Sequence, residues 1–139
     1  MKRRRLTSRE ARFVARERVI RVATAGRDGR PHVVPVCHVL ERGSLYFGSD
    51  KNGLKVRNIA RTRRAAFVAD RYSESWSRLR GVSGAGRAEV FPRGPVFELG
   101  RRLLYRKYRQ YERQAALDPS DSVIVRVTPT HVMSWGVGR

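Results

Sequence analysis

A tight-turn signal between two β-type runs is the feature that most limits the folds open to this chain. Asp28-Gly29 separates a run of β-branched residues at 19–24 from a valine-rich run at 31–40, and this dipeptide is the strongest short-range signal for a β-hairpin. A second turn-forming stretch at 41–44 leads into a third short run at 45–48. Strands joined by such tight turns pair antiparallel, so the sequence predicts a mainly antiparallel sheet that begins as a meander.

The rest of the chain alternates strands with a few helices. Thr7 and Glu10 stand at the spacing of a capping box, which predicts a helix from residue 8 to about residue 18. Helical patterns also cover 51–63 and the segment that starts near Pro95, while strand-like runs occupy 65–70, 79–91, 122–127 and 130–135. The predicted fold is therefore mainly β with helices (α+β), with six or seven strands and three or four helices.

Glycine and proline positions indicate that this sheet curls. Gly81, Gly84 and Gly86 interrupt the run at 79–91, and glycines inside a strand mark bends or bulges. Pro35 has no N–H to donate to a central ladder, so its strand should lie at an edge or at a bulge. Short, bent strands in this number are expected to close into a small barrel whose ends are covered by helices.

The length and composition fit one domain with a real core. The 139 residues predict a single domain, 1–139, with residues 1–7 as a basic N-terminal tail. No stretch approaches 18 apolar residues, which excludes a helical membrane span, and the basic N-terminus lacks the apolar region of a secretory signal. We therefore expect a cytoplasmic protein with no membrane partner. The single cysteine, Cys37, excludes an internal disulfide and any multi-cysteine metal site.

The charge is strongly positive, and most of it comes from arginine. Lys and Arg number 31 against 12 Asp and Glu, which gives a net charge of +19, and only four of the 31 are lysines. Such a field attracts nucleic acid, or a phosphorylated or polycarboxylate cofactor. Because the arginines are spread along the whole chain, we expect mainly a solvated surface rather than a dedicated groove. No aromatic–basic stacking platform is evident from the spacing, which makes nucleic acid the least favoured partner.

No known catalytic motif is present in the sequence, which contains no nucleophile elbow, dinucleotide fingerprint or Walker loop. His32, His38 and His131 lack metal-ligand spacing, so we expect packing or hydrogen-bonding roles for them and no metal site. Cys37, which follows Val36 in a predicted strand, is interpreted as a small core residue. The 12 carboxylates form no evident acid–base pair. Catalytic residues therefore stay unassigned, and any demanding chemistry should belong to a cofactor.

One segment, 46–58, combines a strand end, a hydroxyl group and a basic helix. The strand gives way to Ser49, and the helix that follows carries Lys51, Lys55 and Arg57 at or near its start. Helix N-termini offer unpaired N–H groups and a partial positive charge, which together bind phosphate. The segment is therefore either a phosphate site or a helix with a solvated basic face.

The order of these segments is also that of a known family. The chain contains, in this order, a strand at 22–24, Gly29-Arg30-Pro31, a strand to residue 36, a strand at 45–49 and the helix start Lys55-Val56-Arg57-Asn58. Segments 106–111 and 127–136 fit the same pattern. From about residue 8 to 136 the chain resembles the pyridoxamine-phosphate-oxidase-like, FMN-binding split β-barrel family. Within that family it is most similar to the actinobacterial branch described as coenzyme F420-dependent.

The resemblance implies a six-stranded antiparallel split β-barrel that forms a homodimer. FMN or the deazaflavin F420 would lie in a cleft between the two subunits. The phosphate contacts would fall on the strand end and the following helix, at Ser49, Lys51, Lys55, Arg57 and Asn58. The tricyclic ring would be lined by backbone groups around Pro35, Val36 and Cys37. A loop residue, Trp76, would approach the cleft.

The expected function is an oxidoreductase that binds F420 and transfers a hydride to an unidentified organic substrate. The alternatives are an FMN-binding oxidoreductase or a non-catalytic flavin-binding protein of the same fold, with a nucleic-acid-binding module as a remote one. F420 carries a phosphodiester and a poly-glutamate tail, so it is more anionic than FMN and suits a chain of charge +19. The C-terminal arginine- and histidine-containing substrate segment of true pyridoxamine-phosphate oxidases is not recognisable, so vitamin B6 oxidation is not expected.

Overall fold

Seven strands, all paired antiparallel, form one sheet in the computed structural model, which describes residues 5–138. The strands are β1 (Ile20–Ala25), β2 (Pro31–Val36), β3 (Val39–Glu41), β4 (Ser44–Asp50), β5 (Arg64–Arg71), β6 (Arg80–Phe91) and β7 (Ser122–Trp135). The helices are α1 (Ser8–Arg16), α2 (Leu54–Thr62), α3 (Pro95–Lys107) and α4 (Tyr111–Ala115), with a short 3₁₀ helix at Trp76–Arg78. Of the predicted basic tail, residues 1–4 lie outside the described residues.

The strand order explains why the sheet curls. Its order is β2-β1-β5-β6-β7-β4-β3, which puts β2 and β3 at opposite edges. A flat sheet would separate these edges by six strand spacings, roughly 29 Å. Only Cys37 and His38 separate the two strands along the chain, and three Cα–Cα steps span about 11 Å at most. The sheet therefore closes on itself, and the predicted antiparallel split barrel is confirmed.

Two details of the predicted strands differ from the structure. The single strand predicted at 31–40 is broken into β2 and β3. The sheet therefore has seven strands, one more than the six expected for the barrel. Conversely, the strands predicted at 122–127 and 130–135 are one strand, β7, with a register shift opposite Ala85 and Gly86. A Cβ on Gly86 would lie 2.0 Å from the carbonyl oxygen of Thr128, so this bulge requires glycine. Pro35 lies on an edge strand, as predicted.

Side chains fill the inside of the barrel. Alternate residues of the strands point inward and are almost fully buried, among them Val22, Phe47, Phe67 and Val125. Small barrels hold packed side chains rather than a cavity. A second cluster lies beneath α3 and is formed by Val39, Tyr46, Phe97, Leu104, Tyr108, Leu117 and Ile124. Ligands must therefore bind on the outer surfaces of this barrel.

The helices follow from local sequence signals. The capping box predicted for α1 is present: the Glu10 N–H donates to Thr7 Oγ1 at 3.2 Å, and the Thr7 N–H donates to Glu10 Oε1 at 2.8 Å. Pro95 lies in the first turn of α3, where its missing N–H costs nothing. Within 5–138, the structure contains no helix with the length and apolar character needed to cross a membrane.

The break between β2 and β3 is closed by one hydroxyl group. Tyr108, at the end of α3, accepts a hydrogen bond from the His38 N–H at 2.9 Å. Its own hydrogen is shared between the carbonyl oxygens of Arg18, at 2.8 Å, and His38, at 2.9 Å. Burial raises the pKa of this hydroxyl to about 12, so it stays a donor at all ordinary pH values. Tyr108 therefore satisfies buried backbone groups that the sheet leaves unpaired at its split.

We predict that Tyr108→Phe destabilises the fold by about 1–3 kcal/mol, because a buried N–H and two carbonyl groups lose their partner. The measurement is urea unfolding at neutral pH. Tyr72→Phe is the matched control, since the Tyr72 side chain is 65% exposed, and its effect should stay within about 0.5 kcal/mol. Equal stability of Tyr108→Phe and the wild type would contradict the role given to this hydroxyl.

His38 makes stability depend on pH. Its ring is fully buried, and Nε2 donates to the carbonyl oxygen of Val14 at 2.7 Å. Burial lowers the His38 pKa to about 4, helped by the charges of Lys107 and Arg18 and opposed by the bond to Val14. The unfolded chain takes up the proton near pH 6.5. Because protonation favours the unfolded state, this contribution is complete above pH 6.5 and is lost as the pH falls toward 4.

We therefore predict that the free energy of unfolding falls by about 3 kcal/mol through His38 alone between pH 6.5 and 4. Urea titrations at several pH values measure this slope for the wild type and for His38→Gln, which keeps a donor for Val14 but does not titrate. The variant should show a clearly smaller loss over the same range. Parallel curves for the two proteins would mean that other groups cause the acid sensitivity.

Candidate functional site

The turn from β4 leads into the start of α2, where the sequence predicts a phosphate site. Ser49 is 9% exposed, and its Oγ donates to the carbonyl oxygen of Asp50 at 3.2 Å. Gly53 is the N-cap of α2, and a Cβ at this position would lie 3.3 Å from Ser49 Oγ. In this described segment no side chain hydrogen bonds to the first turn of α2 as a cap. Its N–H groups are therefore open to an anion.

The three predicted cations of this segment differ in what they contact. Lys51 donates from Nζ to the carbonyl oxygen of Ser120 at 2.8 Å, so it ties the segment to the loop before β7. Lys55 is half-buried, and burial lowers its pKa while the nearby Asp50 carboxylate opposes the shift. Arg57 is exposed. Among the residues that the structure describes, neither Lys55 nor Arg57 forms an ion pair.

Lys55 is consequently the cation that best fits an anion at this helix start. It lies in the first turn of α2, next to the open N–H groups. Residues two apart on a helix do not face each other, so Arg57 points away from the side of the helix that Lys55 occupies. A half-buried ammonium group gains more from an anionic ligand than an exposed one does, because less solvent screens the interaction.

Asn58 joins α2 to the sheet. Its side chain is buried, and Nδ2 donates to Thr24 Oγ1 of β1 at 3.0 Å. Thr62 Oγ1 donates to the carbonyl oxygen of Asn58 at 3.0 Å. The predicted contact of Asn58 with a phosphate stays a prediction, and its amide nitrogen already has a partner in this structure.

The residues predicted to line a ring lie on the free edge of β2. Val36 is buried in the barrel core, while Pro35 and Cys37 are exposed. Because β2 pairs only with β1, the backbone groups on its other edge are open to a ligand. The interpretation of Cys37 as a small core residue is wrong: its thiol is exposed. It lies between the buried Val36 and the buried His38, so the inward–outward alternation of the chain turns its side chain outward.

Trp76 lies in the loop between β5 and β6, on the 3₁₀ helix. Its side chain is 73% exposed, and Nε1 donates to the Tyr72 hydroxyl at 3.3 Å. This indole therefore belongs to a small exposed aromatic pair. Its predicted approach to a cofactor cleft stays a prediction.

A trough that the sequence analysis missed lies on the outer face of the sheet. Ala23, Ala66 and Ala85 are neighbours in register across β1, β5 and β6, and His131 of β7 continues the row. Their small side chains leave a cavity of about 760 Å³. Its rim carries three guanidinium groups, those of Arg63, Arg64 and Arg87. Alanine recurs at outward-facing positions of successive strands, and this is the sequence signal that could have indicated the trough.

The trough and the start of α2 are linked through α2 itself. Thr24 and Thr62 both line the trough, and both hydrogen bond to Asn58. A flat apolar floor with guanidinium groups at its rim suits a planar ring that bears anionic substituents. Across residues 5–138 there is no group of three or more His, Cys, Asp and Glu side chains placed to hold a metal ion.

Comparison with known proteins gives a consistent result. The family model described as pyridoxamine 5'-phosphate oxidase matches residues 6–136. A conserved hypothetical protein from Mycobacterium tuberculosis is similar in structure, with a TM-score of 0.78 and 22% identity over 95% of this chain and 86% of that chain. No curated protein matches the sequence.

Two further solved structures carry names that mention a ligand. The heme storage protein from Vibrio cholerae has a TM-score of 0.81 and 14% identity, covering 96% of this chain and 97% of that chain. A FAD-binding protein from Mesorhizobium loti has a TM-score of 0.73 and 23% identity, covering 94% and 95%. At these identities the likeness concerns the fold.

Proposed function

The chain belongs to the pyridoxamine 5'-phosphate oxidase family, and on that premise we propose that it is a flavin- or deazaflavin-binding oxidoreductase that works as a homodimer. F420 is the favoured cofactor and FMN the alternative. The observation that carries the proposal is the half-buried Lys55 at the start of α2, where, among residues 5–138, Lys55 forms no ion pair and no side chain caps the helix N–H groups. An anionic group of the cofactor would lie there.

The donor set at this helix start fits a phosphate group. The N–H groups of the first turn supply directional hydrogen bonds, and Lys55 supplies charge. Ser49 stands beside Gly53 and adds a hydroxyl. The exposed Arg57 points to the other side of α2, so it would contact a different part of the cofactor. Lys51 would contribute mainly by holding the segment against the loop before β7.

The tricyclic ring would lie between the free edge of β2 and a second subunit. Backbone groups at Pro35, Val36 and Cys37 are available for hydrogen bonds to the polar edge of such a ring. The trough supplies an apolar floor on the same face of the sheet, since Ala23 pairs with Val33 of β2. Trp76 would reach the cleft only from the partner subunit or by movement of its loop.

F420 is favoured over FMN because of its additional negative charges. The rim formed by Arg63, Arg64 and Arg87 places three guanidinium groups beside the trough. Each can form paired hydrogen bonds to a carboxylate of a poly-glutamate tail. FMN has no such tail and would leave this rim unused.

When bound, the cofactor would supply two-electron hydride transfer. The chain's own residues would hold the ring and keep an acceptor aligned over it, since no acid–base pair has been identified among the residues described. The non-catalytic alternative is a carrier that binds the cofactor in the same way without turnover. Measuring oxidation of the reduced cofactor in the presence of candidate acceptors separates the two.

Heme is the second candidate ligand, favoured by one observation. His131 is exposed at the trough, and its Nδ1 lies 3.0 Å from Thr130 Oγ1, which leaves Nε2 open. Histidine is a common axial ligand of heme iron. A Soret band of hemin that shifts when the wild type is added, with that shift lost in His131→Ala, would favour heme over a flavin.

We predict that Lys55→Ala weakens cofactor binding by roughly 10- to 100-fold, the loss expected for a charge-assisted hydrogen bond to phosphate. Titrations of the full chain with F420, FMN and hemin, followed by fluorescence anisotropy or absorbance, give the affinities. Arg93→Ala, in the turn before α3, removes the same charge from an exposed site and should change affinity by less than about twofold. Unchanged F420 and FMN affinity in Lys55→Ala would reject the phosphate assignment.

The outer face of the sheet supports the proposed dimer. Register places Val33 beside Ala23, and Met133 beside Ser83, on the same side as the alanine row. Val33 is 63% exposed, and on β7 Met133 is 51% and Trp135 38% exposed. Large apolar side chains exposed on one face of a sheet are typical of an interaction site. A second copy of the chain would cover it and complete the cofactor cleft.

We predict that the wild type elutes as a dimer and that Ala66→Arg elutes as a monomer of about 16.0 kDa, because an added guanidinium would stand beside Arg64 and Arg87 within the covered face. Size-exclusion chromatography with light scattering measures this. Ala115→Arg, on the exposed α4, is the matched control and should stay dimeric. A monomeric wild type that binds the cofactor tightly would overturn the shared-cleft proposal.

A further inference from the structure

Six arginines line a groove at one end of the barrel, away from the trough. Two adjoining hollows of about 330 and 480 Å³ share Arg71, Arg80 and Gly136 and form one elongated depression. One wall is α1, and the other is the end of the β5–β6 hairpin. We call this surface the arginine groove, and its guanidinium groups belong to Arg9, Arg12, Arg16, Arg71, Arg78 and Arg80.

The helix contributes three of these groups for a simple reason. Positions 9, 12 and 16 are separated by three and four residues, so they fall on one face of α1. The guanidinium of Arg80 lies 5.5 Å from the ring centroid of Phe13, which holds it over the floor of the groove. The sequence suggested a dispersed excess of arginine, but folding brings segments around 9–16 and 71–80 together.

The positive charge of the groove is largely uncompensated. Glu17 is the carboxylate that lines it, and its Oε2 lies 2.8 Å from Arg71 Nε. Within the described part of the chain, none of the other five arginines forms an ion pair. Guanidinium groups keep their charge at every ordinary pH. Five like charges along one depression repel one another, and an anionic ligand would relieve that repulsion.

Exposed aromatic side chains stand at one end of the groove. Tyr72 lines the second hollow and is 65% exposed, and Trp76, 73% exposed, donates from Nε1 to the Tyr72 hydroxyl at 3.3 Å. The sequence showed no aromatic–basic platform, because three arginines of the groove lie on α1, far along the chain from Tyr72 and Trp76. A charged groove that ends in exposed aromatic rings is the arrangement by which proteins hold single-stranded nucleic acid.

We propose that the arginine groove binds single-stranded nucleic acid, with phosphates along the arginines and bases stacked on Tyr72 and Trp76. The elongated shape favours a chain of phosphates over a single phosphate ion. Exposed rings favour unpaired bases over a duplex or an acidic peptide, neither of which offers free base faces. The groove shares no lining residue with the trough, so its arginines are separate from the trough that the cofactor is proposed to use.

The test uses the full chain and a fluorescein-labelled oligonucleotide of about 12 nucleotides, within the site sizes typical of single-strand binders. Fluorescence anisotropy measures affinity at several salt concentrations, including about 0.15 M. We expect Trp76→Ala to weaken binding about 5- to 100-fold, the range for loss of one stacked base. The double variant Arg12→Ala/Arg16→Ala should bind more weakly. The slope of log affinity against log salt concentration should also become shallower by the amount expected for about two phosphate contacts.

Matched controls separate the groove from the net charge. Arg93→Ala/Arg113→Ala removes two exposed charges that line neither hollow of the groove and should leave affinity within about twofold. All substituted side chains are exposed, and thermal melts verify that each variant is folded. Cofactor titration of the same variants should show no change for the Arg12/Arg16 pair.

Several results would overturn the proposal. Equal losses in the control and the groove variants would mean that net charge alone attracts the oligonucleotide. Tighter binding of a duplex of the same length, or displacement by poly-glutamate at an equal charge concentration, would assign the groove to other polyanions. If binding vanishes at about 0.15 M salt, or if Trp76→Ala does not change it, bases do not stack on the aromatic residues and the proposal is wrong.

Discussion

The fold depends on the short link between the two edges of its sheet. Two residues, Cys37 and His38, join β2 to β3, and the strand order puts those strands at opposite edges. Closure leaves a break in the hydrogen-bond ladder, and the Tyr108 hydroxyl satisfies the backbone groups of His38 there. The buried His38 ring lies at the same break, and its Nε2 hydrogen bonds to the carbonyl oxygen of Val14. Packing of α1 and α3 against the split is therefore part of closing the barrel.

Closure also decides where ligands can bind. The interior is filled by large side chains such as Phe47 and Phe67, so the chain offers only its outer surfaces. Among residues 5–138, the candidate surfaces are the start of α2, the alanine trough and the arginine groove. The first two are joined by the hydrogen bonds from Asn58 to Thr24 and from Thr62 to Asn58. In our proposal they form one site, whereas the groove lies beside α1, at one end of the barrel.

The elements with strong local signals were predictable from the sequence. Asp28-Gly29 does form the turn between β1 and β2, with Gly29 at a φ of 80°, and Thr7 and Glu10 form their capping box. Gly86 marks the bulge that its position in a long strand suggested. Cys37 was misplaced because its apolar character was given more weight than its position: it lies between two buried residues, Val36 and His38, so alternation turns it outward.

The candidate site was predictable only in part, for the same physical reason. Ser49 and Lys55 come from one continuous segment, so the helix start could be identified from spacing alone. The trough needs Ala23, Ala66 and Ala85 to be in register across three strands, and register is fixed by tertiary pairing rather than by local sequence. The arginine groove likewise depends on α1 lying beside the β5–β6 hairpin.

The net charge does not show how the arginine side chains are distributed over the folded surface. A charge of +19 on 139 residues destabilises the folded state through self-repulsion, and spreading the charges evenly would minimise that cost. The structure instead places three guanidinium groups at the trough rim and six at the groove. Concentrating like charges in two hollows raises the electrostatic cost of the empty protein, and anions bound at either place would offset it. The arrangement therefore favours two separate anionic ligands over a uniformly solvated basic surface.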